Sequence, residues 1–172
     1  DISIKNKLTK FVPECIANAM KCKSLGDKFT SFEQQLKTLN LEDKKIFVKM
    51  DIEGNEYDTL PEVLENANNI TGIAMEMHFY GDVQQFKKAF SLFSALSKDF
   101  ILVHIHGNSS SPNEFTAKNV KGSIPRVIEL SYINKNLLQD FKLSKNQKRP
   151  LAIDMPMCKD CKDKEFEVLL NY

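Results

Sequence analysis

Short apolar runs alternate with amphipathic segments along the chain, a pattern typical of α/β proteins. The apolar runs predict four strands: Ile46 to Met50, Thr71 to Phe79, Phe100 to His106, and Arg126 to Ile133. Because a helical segment separates each of the first three strands from the next, these strands are expected to lie parallel. No helix precedes the fourth strand, so it is expected to run antiparallel to the others.

Helical periodicity predicts the connecting elements. A hydroxyl at Thr30 or Ser31 is suited to cap a helix that ends near Leu39, since it can accept a hydrogen bond from the first turn. Further helices are expected from Ser3 to Lys23, from about Glu56 to Asn66 with Asn55 as its cap, and from Gly81 or Asp82 to about Ser97. The last of these has an apolar face that is expected to lie in the core, formed by Phe86, Phe90, Phe93 and Leu96.

Composition and charge narrow the class of protein. A chain of 172 residues fits one domain with enough apolar content for a core. Its 24 basic and 23 acidic residues nearly balance, so the net charge favours neither nucleic acid nor a membrane surface as a partner. No apolar run reaches the roughly 20 residues of a membrane helix, and the first residues lack a signal-peptide core. We therefore expect a soluble, cytoplasmic protein. Because the chain begins with Asp1 rather than Met, residues 1–172 are expected to be a partial or processed domain.

The first predicted strand leads directly into a group of polar residues. Asp51 and Glu53 follow it two positions apart, so in extended geometry both carboxylates point the same way. Gly54 then allows a sharp turn. The acidic residues Glu56 and Asp58 suit the positive end of the following helix. Since ligands of open α/β sheets bind at the carboxyl ends of the strands, this segment is the first candidate site.

The next two strands also end in polar pairs, Glu76 with His78 and His104 with His106. Alternate residues of a strand share a face, so neighbouring parallel strands would gather all these pairs at one rim. A carboxylate or imidazole there could take the proton of a substrate hydroxyl. The catalytic candidates are Asp51, Glu53, His78 and His106, and the substrate-binding candidates are Glu76, His104 and Asn108.

Two other readings of these polar residues stay open. Imidazole and carboxylate together also suit zinc, manganese or iron, but a direct catalytic or substrate role is favoured, and no residue is assigned as a metal ligand. In the second reading the residues are structural. His104 would then be a core histidine bonded to a backbone carbonyl, and Asp51 would cap the following turn.

The cysteines give a separate hypothesis. Cys158 and Cys161 have the spacing of half a zinc site, which Cys15 and Cys22 would complete only if the amino-terminal helix packed against the tail. Free, reduced thiols are the favoured interpretation in a cytoplasmic protein.

Several segments occur in the order found in one enzyme family. They are VKMDIEGNEYDTL, EMHF, VHIHGN, IPRVIELSYI and RPLAIDMP, which together span about Thr30 to Pro156. In this order they resemble the carboxyl-terminal half of an FkbM-type methyltransferase. The resemblance implies a Rossmann-like class I fold in which the strand ending at Asp51 is the fourth, followed by the fifth, the sixth and an antiparallel seventh. It also implies S-adenosylmethionine as cofactor and O-methylation of a sugar, glycan or similar hydroxyl acceptor.

The chain departs from that family in one respect. Class I methyltransferases hold the cofactor with a glycine-rich turn and an acidic residue after their first two strands. The six glycines here never fall in a G-x-G spacing, and too few residues precede Phe47 for three further strand and helix units. The amino-terminal cofactor half is therefore expected to be missing from this chain. The alternative function is a noncatalytic binding or assembly domain, which would pair with another copy or with a separate amino-terminal portion.

Overall fold

The computed structural model describes residues 12–26, 28–81, 83–108, 114–115, 124–142, 147–156, 161 and 166–168. Its helices are Ala19–Leu25 (α1), Phe32–Leu39 (α2), Glu56–Glu65 (α3) and Val83–Asp99 (α4). Its strands are Cys15–Ile16 (β1), Phe29–Thr30 (β2), Ile46–Met50 (β3), Ile70–His78 (β4), Phe100–Gly107 (β5), Glu114–Phe115 (β6), Ile124–Pro125 (β7), Val127–Asn134 (β8), Gln147–Arg149 (β9) and Phe166–Val168 (β10).

The central element is a four-stranded mixed sheet with the order β3-β4-β8-β5. Strands β3 and β4 pair in parallel, whereas β8 lies antiparallel between β4 and β5. The α/β class and the antiparallel last strand are therefore confirmed. The expected mostly parallel sheet is wrong at the level of pairing, because β8 separates β4 from β5 and only one of the three pairings is parallel.

One face of this sheet holds the hydrophobic core. Met50, Ile73 and Met75 point towards it from β3 and β4, and Leu130 points the same way from β8. Helices α2, α3 and α4 cover this face with buried apolar residues. Because β3-α3-β4 and β4-α4-β5 connect strands that run the same way, right-handed crossovers place both helices on one side.

The opposite face of the sheet, called the polar face below, carries polar side chains among apolar ones such as Phe47 and Val127. Lys49, Glu76, Glu129 and Ser131 occupy alternate strand positions there, out of phase with the core residues. Parallel sheets are usually covered by helices on both faces. The described helices cover only the core face, and on the polar face the side chains of Lys49 and Glu129 are 58% and 41% exposed, so that face is partly accessible.

Local sequence signals explain most helix boundaries. Ser31 caps α2, since its hydroxyl accepts a hydrogen bond from the Gln34 amide at 3.1 Å. Asn40 ends the same helix in the left-handed conformation. Asn55 precedes α3 as expected, but its side chain donates to the Ile52 carbonyl and makes no capping hydrogen bond to the helix.

Two other expectations need correction. Phe90 of α4 is 62% exposed, and the buried residues of that helix are Ala89, Leu92 and Leu96, so the phenylalanine stripe is only partly core. The expected helix from Ser3 to Lys23 lies in part outside the described residues. Within them, Cys15–Ile16 forms a strand and the helix begins later, at Ala19.

No helix in the described part of the chain combines the length and apolar character needed to cross a bilayer.

A substitution at Leu60 tests the hydrophobic core between α3 and the sheet. Its side chain is 0% exposed, on the face of α3 that packs against the sheet. Leu60→Ala is expected to lower the free energy of unfolding by about 3 kcal/mol, because it removes buried apolar surface and leaves a cavity. Chemical denaturation measures the change. Leu137→Ala, at an exposed position, is the control and is expected to stay within about 0.5 kcal/mol of wild type. Equal effects of the two variants would contradict this core.

Asp58 of α3 tests the electrostatic contacts between helices. It lies 2.5 Å from the Nζ atom of Lys21 and 3.4 Å from that of Lys88. The hydrogen bond from Lys21 lowers the pKa of Asp58 below its ordinary value of 3.8, against a smaller effect of burial, and Lys88 adds to the lowering. Asp58→Asn is expected to cost about 1 kcal/mol of unfolding free energy at pH 7.

The pH dependence of that cost follows from the sign of the shift. A carboxyl whose folded-state pKa is depressed stabilises the fold fully above its unfolded pKa, near 3.8, and loses this as the pH falls through the folded value. The difference between wild type and Asp58→Asn should therefore shrink in acid, as followed by denaturation at several pH values. Asp43→Asn, at an exposed turn, is the control at pH 7. A difference that persists in strong acid would refute the contact.

Candidate functional site

Three strands bring polar side chains to one edge of the sheet. Strands β3, β4 and β5 run in the same direction, so Asp51, His78 and His106 lie at or just beyond their carboxyl ends. Strand β8 runs the other way and begins at this edge with Val127, which pairs with His78. The sequence prediction of a shared rim is met for Asp51, Glu53, Glu76, His78 and His106, but the extended geometry expected from Asp51 to Glu53 is wrong, because the backbone turns at Glu53.

The turn after β3 fixes the position of Glu53. Glu53 has φ 52° and Gly54 has φ 94°, so the backbone is left-handed at two successive residues. A Cβ at Gly54 would lie 2.6 Å from a ring carbon of Tyr80, so the position favours glycine for both space and conformation. The turn leaves the Glu53 side chain 82% exposed at the rim.

A buried carboxylate holds the imidazole of His78. Glu56 is 0% exposed at the first position of α3, and its Oε1 atom lies 3.0 Å from Nδ1 of His78. The same oxygen accepts from the Ile52 amide at 3.2 Å. The Nε2 atom on the other side of the ring lies 3.5 Å from Oε2 of Glu53. The three side chains therefore form a line from the protein interior to the exposed rim.

Backbone contacts fix the strand end that carries His78. The Tyr57 hydroxyl donates to the His78 carbonyl at 2.8 Å, and the Gln85 side-chain amide donates to the same oxygen at 3.1 Å. Burial, followed by the charge of Glu56, raises the pKa of Tyr57 above its ordinary value, so the phenol stays protonated and can donate. Helices α3 and α4 thus hold the end of β4 from two sides.

Asp51, Glu76 and His78 converge on one point of the rim. Each offers a ligand atom, and these atoms all lie within 4.8 Å of one another. The Nζ atom of Lys49 lies 3.9 Å from Asp51 and 3.7 Å from Glu76. Burial and the neighbouring Asp51 charge raise the pKa of Glu76 above 4.5, while Lys49 opposes this. The group is therefore rich in negative charge that Lys49 partly balances.

His106 belongs to a second cluster on the same face of the sheet. Its Nδ1 atom lies 3.2 Å from Oε2 of Glu129, and the side-chain amide of Asn108 donates to Oε1 of Glu129 at 2.9 Å. Glu129 pairs directly with Glu76 across β4 and β8, and with His106 across β8 and β5. Glu129 therefore connects the two clusters. The structure places Asn108, expected as a substrate donor, in contact with Glu129.

His104 stands apart from the rim. Its Nε2 atom lies 2.8 Å from Oδ1 of Asp154, whose other oxygen accepts from the Leu151 amide at 2.6 Å. The Arg149 side chain also donates to the Ile105 carbonyl at 2.9 Å. These contacts attach the segment around residues 149–154 to β5. The partner of His104 is thus a carboxylate. The alternative prediction, a core histidine bonded to a backbone carbonyl, is wrong.

Two concave regions flank the polar residues. A shallow depression of about 140 Å³ on the polar face is lined by side chains that include Lys49, Glu76, Glu129 and Ser131. A more apolar groove of about 380 Å³ runs along β3 between that strand and α2, with Ile16, Leu36 and Phe47 among its lining residues. In the described part of the chain no strand pairs with the outer edge of β3, which borders the groove.

The cysteine prediction was wrong in part. Cys161 is disulfide-bonded, whereas Cys15 and Cys22 are free thiols. Cys158 lies outside the described residues. A disulfide removes the thiolate that zinc needs, so Cys161 as seen here is not a zinc ligand.

Sequence reasoning missed two members of the site, Glu56 and Glu129. Glu56 lies in the first turn of α3, where acidic residues are common because they interact favourably with the helix dipole. Only its position relative to the apolar face of α3 indicates that its side chain is buried. Glu129 occupies the polar phase of β8, but its partners depend on the position of β8 between β4 and β5. That position is not encoded in any local pattern.

Comparison with known proteins gave no relatives: no family model, curated protein or solved structure matches this chain.

Glu56→Ala tests the buried pair. It removes the carboxylate that holds Nδ1 of His78, and we expect the free energy of unfolding to fall by about 2 kcal/mol, the scale of a hydrogen bond to a charged group. Denaturation measures this, and the imidazole ¹⁵N shifts of His78 report which ring nitrogen carries the proton. Glu65→Ala, exposed on the same helix, is the matched control. If the two variants behave alike, Glu56 does not hold the ring.

Proposed function

We propose that this chain is the acceptor-binding part of a class I S-adenosylmethionine-dependent methyltransferase that methylates a hydroxyl of a sugar, glycan or similar compound. The observation that carries the proposal is the rim, where Asp51, Glu53, His78 and His106 lie at the carboxyl ends of three strands that share one direction. The antiparallel last strand, which the FkbM resemblance implies, supports the Rossmann-like class I fold.

The fit of the cofactor to this chain is incomplete. None of the six glycines falls in a G-x-G spacing, so the chain lacks the turn that cradles the amino-acid part of the cofactor in this class. When bound, the cofactor supplies the methyl group. The proposal therefore requires that the glycine-rich and ribose-binding groups come from another segment or chain.

The groups of this chain that would act on the acceptor are at the rim. Nε2 of His78 and Oε2 of Glu53 lie 3.5 Å apart, so a hydroxyl docked beside them meets two groups that can receive its proton. Loss of that proton makes the oxygen a better nucleophile. Glu56 keeps the ring of His78 in one orientation, which favours a defined position for the acceptor oxygen.

The polar depression next to the rim fits a hydroxyl-rich acceptor. Carboxylates of Glu76 and Glu129 accept hydrogen bonds from hydroxyl groups, and Lys49 and Ser131 can donate to them. These side chains lie on the accessible face of the sheet. An apolar acceptor would displace water from these carboxylates and give no hydrogen bond in return, which is costly.

The cytoplasmic location stays a prediction. The disulfide at Cys161 does not favour it, because disulfides form and persist mainly in oxidising compartments.

A noncatalytic assembly domain is the second candidate, and the β3 edge favours it. The groove beside β3 combines apolar lining with the outer edge of β3, which pairs with no strand in the described part of the chain and to which a further strand can add. Both candidates require a second segment there. If the chain is part of an enzyme, that segment would contribute the groups that bind the cofactor. If the chain is an assembly domain, the segment would contribute no such groups.

Calorimetry separates these candidates. S-adenosylmethionine and S-adenosylhomocysteine are titrated into the 172-residue chain and into the longest polypeptide of the same reading frame. Saturable binding by either polypeptide supports the enzyme, and binding by the longer one alone places the missing groups in the additional segment. If neither polypeptide binds these compounds, the methyltransferase proposal is contradicted and the assembly domain remains as the candidate.

Glu53→Gln tests the role of the rim in a polypeptide that transfers methyl groups. We expect the rate of methyl transfer to fall by about 100-fold or more, because the amide cannot accept the acceptor proton. Transfer of a labelled methyl group to a panel of sugars measures it. Since Glu53 is exposed, folding should be unaffected. Glu65→Gln should keep the wild-type rate. An unchanged rate in Glu53→Gln would exclude Glu53 as the proton acceptor.

A further inference from the structure

The convergence of Asp51, Glu76 and His78 has the chemistry of a cation site. Two carboxylates and one imidazole supply three ligand atoms within 4.8 Å of one another, from two adjacent strands. Such a set suits divalent cations that accept both oxygen and nitrogen, such as Mn²⁺. Three protein ligands leave further coordination positions open towards the accessible face.

The orientation of His78 supports the same interpretation. A histidine that binds a metal through one ring nitrogen typically donates the other N–H to a carboxylate, which fixes the tautomer. Glu56 provides that carboxylate at 3.0 Å from Nδ1, and His78 is only 8% exposed. Nε2 is left on the side of the rim. The buried Glu56 thus positions the ring as a second-layer carboxylate does in metal sites.

The charges of the cluster also favour a cation site. Glu56 is fully buried, and its Oε2 atom has no hydrogen-bond partner in the part of the chain that the structure describes. Asp51 and Glu76 add two carboxylates, and Lys49 lies 3.7 Å or more from both. A buried negative charge without full compensation is costly. A divalent cation on Nε2 of His78 would compensate all three carboxylates.

We propose that Asp51, Glu76 and Nε2 of His78 bind one divalent cation, which in turn holds the hydroxyl oxygen of the acceptor. Its role in catalysis rests on the proposed function, whereas cation binding does not. The cation lowers the pKa of the bound hydroxyl. With Nε2 of His78 bound to the cation, the Glu53 carboxylate would be the proton acceptor, so the O–H bond would break, the proton would pass to Glu53, and the oxygen would keep the electron pair. That pair would form the new O–C bond as the S–C bond to the methyl group of the cofactor breaks, and the sulfur would keep the electrons of the broken bond.

Binding of Mn²⁺ to chelator-treated protein tests the proposal directly. The signal of free Mn²⁺ in electron paramagnetic resonance is followed during titration of the 172-residue chain, without cofactor or acceptor. Wild type is expected to bind one Mn²⁺ per chain. Asp51→Asn and Glu76→Gln should each weaken binding by tenfold or more, since each removes a charged ligand. No saturable binding by wild type would overturn the site.

Matched variants distinguish a ligand set from general negative charge. Asp43→Asn makes the same chemical change at an exposed turn and is expected to leave the affinity unchanged. Glu56→Gln should weaken binding by about 10- to 100-fold through His78 alone. Lys49→Met should strengthen it by about tenfold, because it removes a competing positive charge beside two ligands. If Asp43→Asn weakens binding as much as Asp51→Asn, the cation is held by surface charge and the proposal fails.

The outcome separates this proposal from the methyltransferase proposal. Stoichiometric Mn²⁺ binding without methyl transfer by any longer polypeptide would sustain the cation site and refute the enzyme. Methyl transfer that persists at full rate in excess chelator would refute the catalytic role of the cation and sustain the enzyme, whereas the Mn²⁺ titration alone decides whether the site binds a cation.

Discussion

Burial on a single face of the sheet determines where the polar groups of this protein lie. Helices α2, α3 and α4 pack on one face of the sheet, so the residues of β3, β4 and β8 that join the core, such as Met50, Ile73 and Leu130, face the same way. The alternate positions can then carry polar side chains, and Glu76 and Glu129 lie there beside apolar residues such as Phe47 and Ile133. A sheet with helices on both faces would have to fill these positions with apolar residues. The polar face and the rim are thus consequences of the same constraint.

Glu56 links the packing of α3 against the sheet to the chemistry of the rim. It belongs to a helix that is buried against the sheet, yet its carboxylate reaches the imidazole at the end of β4. Packing of α3 therefore sets the orientation of His78, and any shift of the helix is transmitted to the ring. Buried charge in such a position seldom benefits stability by itself. Glu56 orients the ring of His78, and this orientation serves either of two exclusive roles of Nε2: it accepts the proton of the acceptor, or it binds the cation while Glu53 accepts that proton.

The sequence predicted the elements better than their arrangement. Strand β3 was predicted at its observed limits, and the Ser31 cap follows from local hydrogen bonding. The rim residues Asp51 and His78 could be found because strand direction and alternation suffice. The contacts of Glu129 could not, since they depend on which strands β8 joins. Likewise, Phe90 was expected in the core because periodicity gives the face of a helix but not the width of the surface that covers it.

The position of β8 has a consequence for how the chain reaches its native state during synthesis. Strands β4 and β5 are not bonded to each other, and both require β8 between them. Until residues as far as Asn134 have left the ribosome, the sheet consists of a parallel pair and a detached strand, with inner edges open to other chains. Asn134 then donates to the carbonyls of Ala67 and Ile70 and fastens the far end of β8. Completion of the sheet therefore depends on long-range pairing of β8 with two strands that are made before it.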